Sequence, residues 1–395
     1  MNSISDRNIR ILFVVTAVTT GFALLSKIEI GNRLPFFSSH PYILYSIVYL
    51  LTVLPFCFPL VLRWHRVIAP LTLLGFAGVA LVLQPQFEKL HSIGRGTDQG
   101  TCVIVAAHRL LKLQWPYDAA SMFSHNPMSC GPGWVMLHAP LLAFLPYPLT
   151  MLALIFGCIG LVAYFAGVER ASRFVAVSGV VPGTWLSLAN GNDFLTFAFC
   201  VVAVIVAIEH ATGPSRWFLS TFVILVSHFR MPFIFPPFVM YLGAPKRPLR
   251  LGGAIAALSL LIWSGFYFIN PVSFMTEGPM HVLRKFQGLS GADSGLLLFV
   301  AVVVGAGFLT ALFLFYQYPD SIMAYVACII WPLSILELAQ RAATSHSFSE
   351  AFELWEGTSW LEAVAAISAW FLIRGQTREK DIACWQESVR RTQGV

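Results

Sequence analysis

Long apolar runs follow one another from end to end of this chain, and they constrain its fold more than any motif does. They lie near residues 11–25, 42–62, 67–83, 135–167, 174–189, 194–208, 217–229, 233–242, 251–269, 296–316, 322–338 and 360–373. A helical crossing of a bilayer needs about 20 such residues. With 57% of the chain hydrophobic and only 11% charged, no water-facing surface is large enough to enclose this apolar mass. The fold expected is therefore all-α: a polytopic bundle of about 10–13 transmembrane helices, with amphipathic interfacial helices in its outer loops. The polar start, 1–10, leads into the first run without a small-residue cleavage site, so a retained span is expected there. The short runs at Met231-Pro232 and Phe235-Pro236-Pro237 read as broken or re-entrant helices.

The basic residues set sidedness. With the N-terminus inside, 15 Lys and Arg fall on inner segments and 10 on outer ones, and the short inner connections Arg63-Trp64-His65-Arg66 and 246–250 are the densest. Both termini are then cytoplasmic. Three outer loops remain, 84–133, 270–293 and 339–358, and the chain divides accordingly. An N-terminal hairpin (1–66) precedes a core (67–243) that carries the first loop; further spans (244–373) carry the other two, and a tail covers 374–395. The net charge of +6 follows from this topology; it is scattered between spans and excludes a nucleic-acid surface.

The first loop holds the densest chemistry. Asp98 follows Gly94-Arg95-Gly96-Thr97 and precedes an amphipathic stretch in which Thr101, His108 and Lys112 share a stripe. Such a helix is expected to lie flat in the interface. Asp98 can cap it, or it can act as a general base toward a hydroxyl. Pro116-Tyr117-Asp118, His125-Asn126-Pro127 and the run from Cys130 to Trp134 are turn-rich and suited to roofing a cavity. Arg95, His125 and Asn126 are candidate substrate contacts. Of seven cysteines, only Cys102 and Cys130 share this loop, and they can pair if it faces an oxidising compartment.

Further polar groups stand near the same face. Asn192 and Asp193, candidate substrate contacts, interrupt apolar sequence, where a carboxylate is costly unless it lines a wet cavity or caps a helix. Arg230 can grip a phosphate through its fork or simply snorkel. In the second loop Arg284 and Lys285 can join it, and Glu277 and His281 are substrate-binding candidates. No Walker A sequence, Rossmann fingerprint or zinc-protease helix occurs, which argues against a cytosolic nucleotide-sugar donor.

The order of these parts resembles the GT-C superfamily of integral-membrane glycosyltransferases, particularly bacterial members using polyprenyl-phosphate sugars. The likeness lies in a span (67–83), an outer loop with an early acid (Asp98) and an amphipathic helix ending in Trp115-Pro116-Tyr117. An N-P-x-x-x-G-P-G turn from Asn126 to Gly133 then leads into the next long segment, with Gly191-Asn192-Asp193-Phe194 and Arg230 beyond. The resemblance implies an enzyme of a bacterial inner membrane that moves a sugar from a polyprenyl-phosphate donor to a glycan or lipid-linked acceptor at the outer face. Inversion is implied, with Asp98 as base; Arg230, Arg284 and Lys285 would hold the donor phosphate. A lone acid does not require a metal, although a divalent cation is compatible with it. The competing expectations are a transporter or flippase of a lipid-linked or anionic substrate, and a glycan ligase or polymerase using a base such as His281.

Overall fold

The computed structural model describes residues 6–26, 38–86, 99–122, 125–210, 221–226, 228–230, 249–281 and 360–374, with five single positions between 330 and 342. Among them all regular structure is helical. Helix α1 spans Asp6–Ser26. Helix α2 (Pro41–Val53) passes through a 3-10 turn (Leu54–Cys57) into α3 (Phe58–Arg63), and α4 (His65–Gly78) widens into a π turn (Val79–Leu83). There follow α5 (Gln99–Leu111), α6 (Pro132–Leu142), α7 (Tyr147–Ala166), α8 (Val168–Ser178), α9 (Pro182–Asn190), α10 (Asp193–His210), α11 (Leu249–Ile269), α12 (Pro271–Thr276) and α13 over 360–374. Prolines 41, 132, 182 and 271 open α2, α6, α9 and α12 at their first positions, where a missing N–H costs nothing.

Three stretches are long and apolar enough to cross a membrane: Pro41–Arg63, His65–Gln86 and Tyr147–Ala166. Leu71, Leu74 and Val82 stand exposed along the second, an arrangement suited to lipid. By contrast, α10 is buried over 193–207 and α13 over 361–373, so both are covered on every side there and form the centre of the bundle.

Two segments that read as single spans are divided. The run 135–167 turns at 143–146 between α6 and α7, and the run 174–189 breaks at 179–181 between α8 and α9. Backbone groups freed inside the bundle need other partners. Trp185 Nε1–H donates to the Gly179 carbonyl at 2.8 Å, and Gly183 N–H donates to Thr20 Oγ1 at 3.2 Å. The prolines at 232, 236 and 237, where a break was expected, lie outside the described residues.

The His65–Gln86 stretch, about 33 Å long at 1.5 Å per residue, separates two unlike ends. At one, His65 Nδ1 meets Ser172 Oγ at 3.0 Å, which gathers Arg63, Arg66, Arg170 and Arg173. At the other, Gln84, Gly100, Tyr147 and Gly191 are in contact. The amphipathic helix expected after Asp98 is α5, and one face of it is packed within the bundle. It buries Cys102, Val103, Ala106 and Ala107 against α6, because small residues on that stripe permit close packing.

Candidate functional site

Three short motifs, far apart in sequence, converge on Trp134. The first is Cys130-Gly131-Pro132-Gly133-Trp134 at the start of α6. Its glycines are required by close approach: a Cβ at Gly131 would stand 1.9 Å from the His228 carbonyl oxygen, and one at Gly133 2.7 Å from His228 Cβ. Gly131 N–H donates to the Phe229 carbonyl at 2.8 Å.

The second motif is Gly191-Asn192-Asp193-Phe194. Gly191 ends α9 with φ +66°, a left-handed conformation that glycine adopts without strain, and Asn192 N–H returns to the Ser187 carbonyl. Asn192 Oδ1 then accepts from Phe194 N–H at 3.0 Å and so caps α10. Asp193, in the first turn of that helix, is fully buried.

The third is His228-Phe229-Arg230. Asp193 Oδ1 accepts from Arg230 Nη2 at 3.0 Å, and Asp193 Oδ2 accepts from Trp134 Nε1–H at 3.1 Å. The guanidinium lies 4.8 Å above the Phe194 ring centre and 5.2 Å from that of Phe229, which stacks on Phe197. With both carboxylate oxygens engaged, Asp193 serves to orient Arg230. Capacity for a ligand lies with the cationic and imidazole side: Arg230 Nε, His138 Nε2 and both ring nitrogens of His228 are buried without a hydrogen-bond partner. Of these, Arg230 Nε is a donor. His138, whose Nδ1–H donates to the Trp134 carbonyl at 2.9 Å, presents Nε2 as an acceptor, and a neutral His228 offers one nitrogen of each kind. The set fits a ligand with both acceptor oxygens and a hydroxyl.

Beside this site the first two predicted outer loops dock onto each other. Cys102 and Cys130 are joined as a disulfide, which ties α5 to the start of α6. Glu277 accepts at its carbonyl from Met128 N–H (2.6 Å) and at Oε2 from Ala119 N–H (3.3 Å). Trp115 Nε1–H donates to Ser273 Oγ, which donates to the Tyr117 carbonyl. Arg109 pairs with Asp118 at 2.8 Å, and Asp118 caps the turn at Ala119–Ser121. Tyr117, enclosed by Trp115, Phe266 and Phe274, has its hydroxyl pushed well above the ordinary phenol range by burial. His125 and Asn126 are exposed on this cap, His125 with φ +53°. His281 is buried, its Nδ1 2.9 Å from the Gly278 carbonyl oxygen.

Of the residues singled out from sequence, Asn192, Asp193 and Arg230 thus come together, and Glu277 meets the loop that carries His125 and Asn126. Asp98, Arg95, Arg284 and Lys285 lie outside the described residues. Sequence reasoning placed Trp134 in a turn-rich run without giving its indole a partner, and it did not single out His138, which looks like an ordinary membrane aromatic. It also missed Glu362, although an acid within an apolar run is itself a signal. Among the described residues no group of three or more His, Cys, Asp or Glu is placed to hold a metal. Comparison of the chain with protein-family models, with curated proteins and with solved structures finds no match in any of the three.

Proposed function

We propose that this protein is a membrane-embedded, multi-pass glycosyltransferase of the GT-C type that moves a sugar from a polyprenyl-phosphate donor to a glycan or lipid-linked acceptor at the outer face of a bacterial inner membrane. The observation that carries this reading is the contact of Gly100 with Gly191. A Cβ at Gly100 would stand 2.4 Å from the Gly191 carbonyl oxygen, so α5 starts against the turn that leads into Asp193 and its partner Arg230. Asp98 directly precedes that helix in the chain.

In this reaction the acceptor hydroxyl oxygen attacks the anomeric carbon as the bond to the phosphate oxygen breaks. Asp98 takes the hydroxyl proton, polyprenyl phosphate departs with the electron pair, and the anomeric centre inverts. Arg230, oriented by Asp193 and flanked by His228, stabilises the charge on the departing phosphate. Arg284 and Lys285 are assigned the same task. The disulfide supports an oxidising, outer location for the loop, and the arginine-rich opposite end supports a cytoplasmic one for the connections at 63–66 and 167–173.

Purified protein incubated with a panel of polyprenyl-phosphate sugars tests the assignment. The expected result is transfer from at least one donor, reduced about 100-fold or more in Asp98→Asn without loss of folded protein. Wild-type turnover by that variant removes Asp98 as the base. A second reading, transport of a lipid-linked or anionic substrate, is favoured by one observation: the helix break at 179–181, of the kind that forms midplane sites in transporters.

A further inference from the structure

Glu362 is the one ionisable residue in the buried run 361–373 of α13. It is only 4% exposed. Its Oε1 accepts from the Ser187 hydroxyl of α9, while Oε2 is buried and meets no hydrogen-bond partner. The side chain lies where α1, α9 and α13 meet, just past the break between α8 and α9. A Cβ on Gly183 would touch both Glu362 Cγ and Thr20 Cβ at 3.0 Å, and the Thr20 hydroxyl accepts the Gly183 N–H.

Among the described residues no cation is paired with it. Helix α9 has no titratable residue, those of α1 (Asp6, Arg7 and Arg10) sit at its opposite end, and α13 offers no other within its buried run. From α10 comes the carboxylate of Asp193, which acts on Glu362 by repulsion and holds Arg230 in its own ion pair. The positive start of α9 supplies only a small part of what it costs to strip a carboxylate of water. One hydroxyl donor is likewise insufficient. A bare carboxylate in this position requires a positive partner.

We propose that Glu362, with the hydroxyl oxygens of Ser187 and Thr20, forms an intramembrane seat for an exchangeable monovalent cation, H+ or Na+. The seat is separate from the Trp134 site and uses the helix break as its wall. Occupation neutralises the carboxyl and satisfies its second oxygen; release leaves a charge that strains the packing of α1, α9 and α13. The cation therefore biases the arrangement of the three helices around the break.

Dicyclohexylcarbodiimide tests this on the intact protein, because it adds across its C=N bond to a protonated carboxyl in an apolar setting and leaves an acylurea that peptide mass spectrometry locates. Labelling is followed across a range of pH in sodium chloride and, as the control for ionic strength, in choline chloride. The expected adduct is on Glu362 and is absent from Glu362→Gln. Labelling slowed several-fold by sodium at one pH identifies Na+; labelling that falls as pH rises, with no effect of sodium, identifies H+. Ser187→Ala keeps the acid but should shift the sodium protection or the pH midpoint. No adduct on Glu362, or one whose rate ignores both pH and sodium, overturns the proposal. Sugar transfer is not read in this assay, so its outcome is independent of the proposed catalysis.

Discussion

Asp193 and Arg230 each stand out in the sequence as charges in apolar surroundings, but nothing in the sequence joins them. They are 37 positions apart, and the Trp134 indole that completes the arrangement belongs to a third segment. A buried pair of this kind is costly to break from one side and cheap to replace entirely, since removing one partner strands a charge at a cost of about 3–5 kcal/mol. Asp193→Asn and Arg230→Met should therefore each lower stability in detergent by about that amount. The double substitution Asp193→Leu with Arg230→Met should recover most of the loss, as read by thermal unfolding. Losses that simply add would dissolve the pair as a coupled unit. The recovered double variant should still fail in sugar transfer, which separates the structural from the chemical part of the site. Asn192, by contrast, was singled out as a substrate contact, with a cap at this turn as the alternative for its neighbour; its work as the cap of α10 depends on Gly191 turning left-handed before it.

At the scale of elements, hydropathy located most helices but not their interruptions. The run 174–189 is continuously apolar, and yet Val181 is extended and Pro182 opens a new helix. Pro70 shows why a proline alone does not reveal this, for it sits inside α4 without ending it. The difference lies in tertiary partners: Trp185 reaches back to the Gly179 carbonyl and lays its ring against α4, close enough that a Cβ on Gly75 would come within 2.7 Å of it. Three residues along the same helix, a Cβ on Gly78 would meet nothing within 4 Å. Gly75→Ala should accordingly cost about 1–3 kcal/mol through overpacking. Gly78→Ala should be neutral or stabilise by up to about 1 kcal/mol, the helix propensity it gains. The two melting curves, taken side by side, check the packing of α9 on α4, and equal shifts would contradict it.

At the scale of the whole molecule, the His65–Gln86 stretch sets one end rich in arginine against another that carries the disulfide and the Trp134 site. The expectation of sidedness drawn from the arginine bias divides the chain along the same stretch, because short basic connections resist translocation whatever the fold around them. The docking of the loop at 112–131 onto α12 was not anticipated, since it depends on backbone partners such as the Glu277 carbonyl, whose placement no local pattern encodes. If the polarity is that of a membrane, a thiol at Ser121 and one at Glu169, both exposed, must meet different solutions. With Cys57, Cys158, Cys200, Cys328 and Cys384 replaced by alanine and the disulfide retained, Ser121→Cys should react with an impermeant maleimide in intact cells. Glu169→Cys should react only after the cells are permeabilised. Labelling of both from outside would abolish the topology, and the reverse pattern would invert it. Either result would also remove the proposed donor site from the outer leaflet.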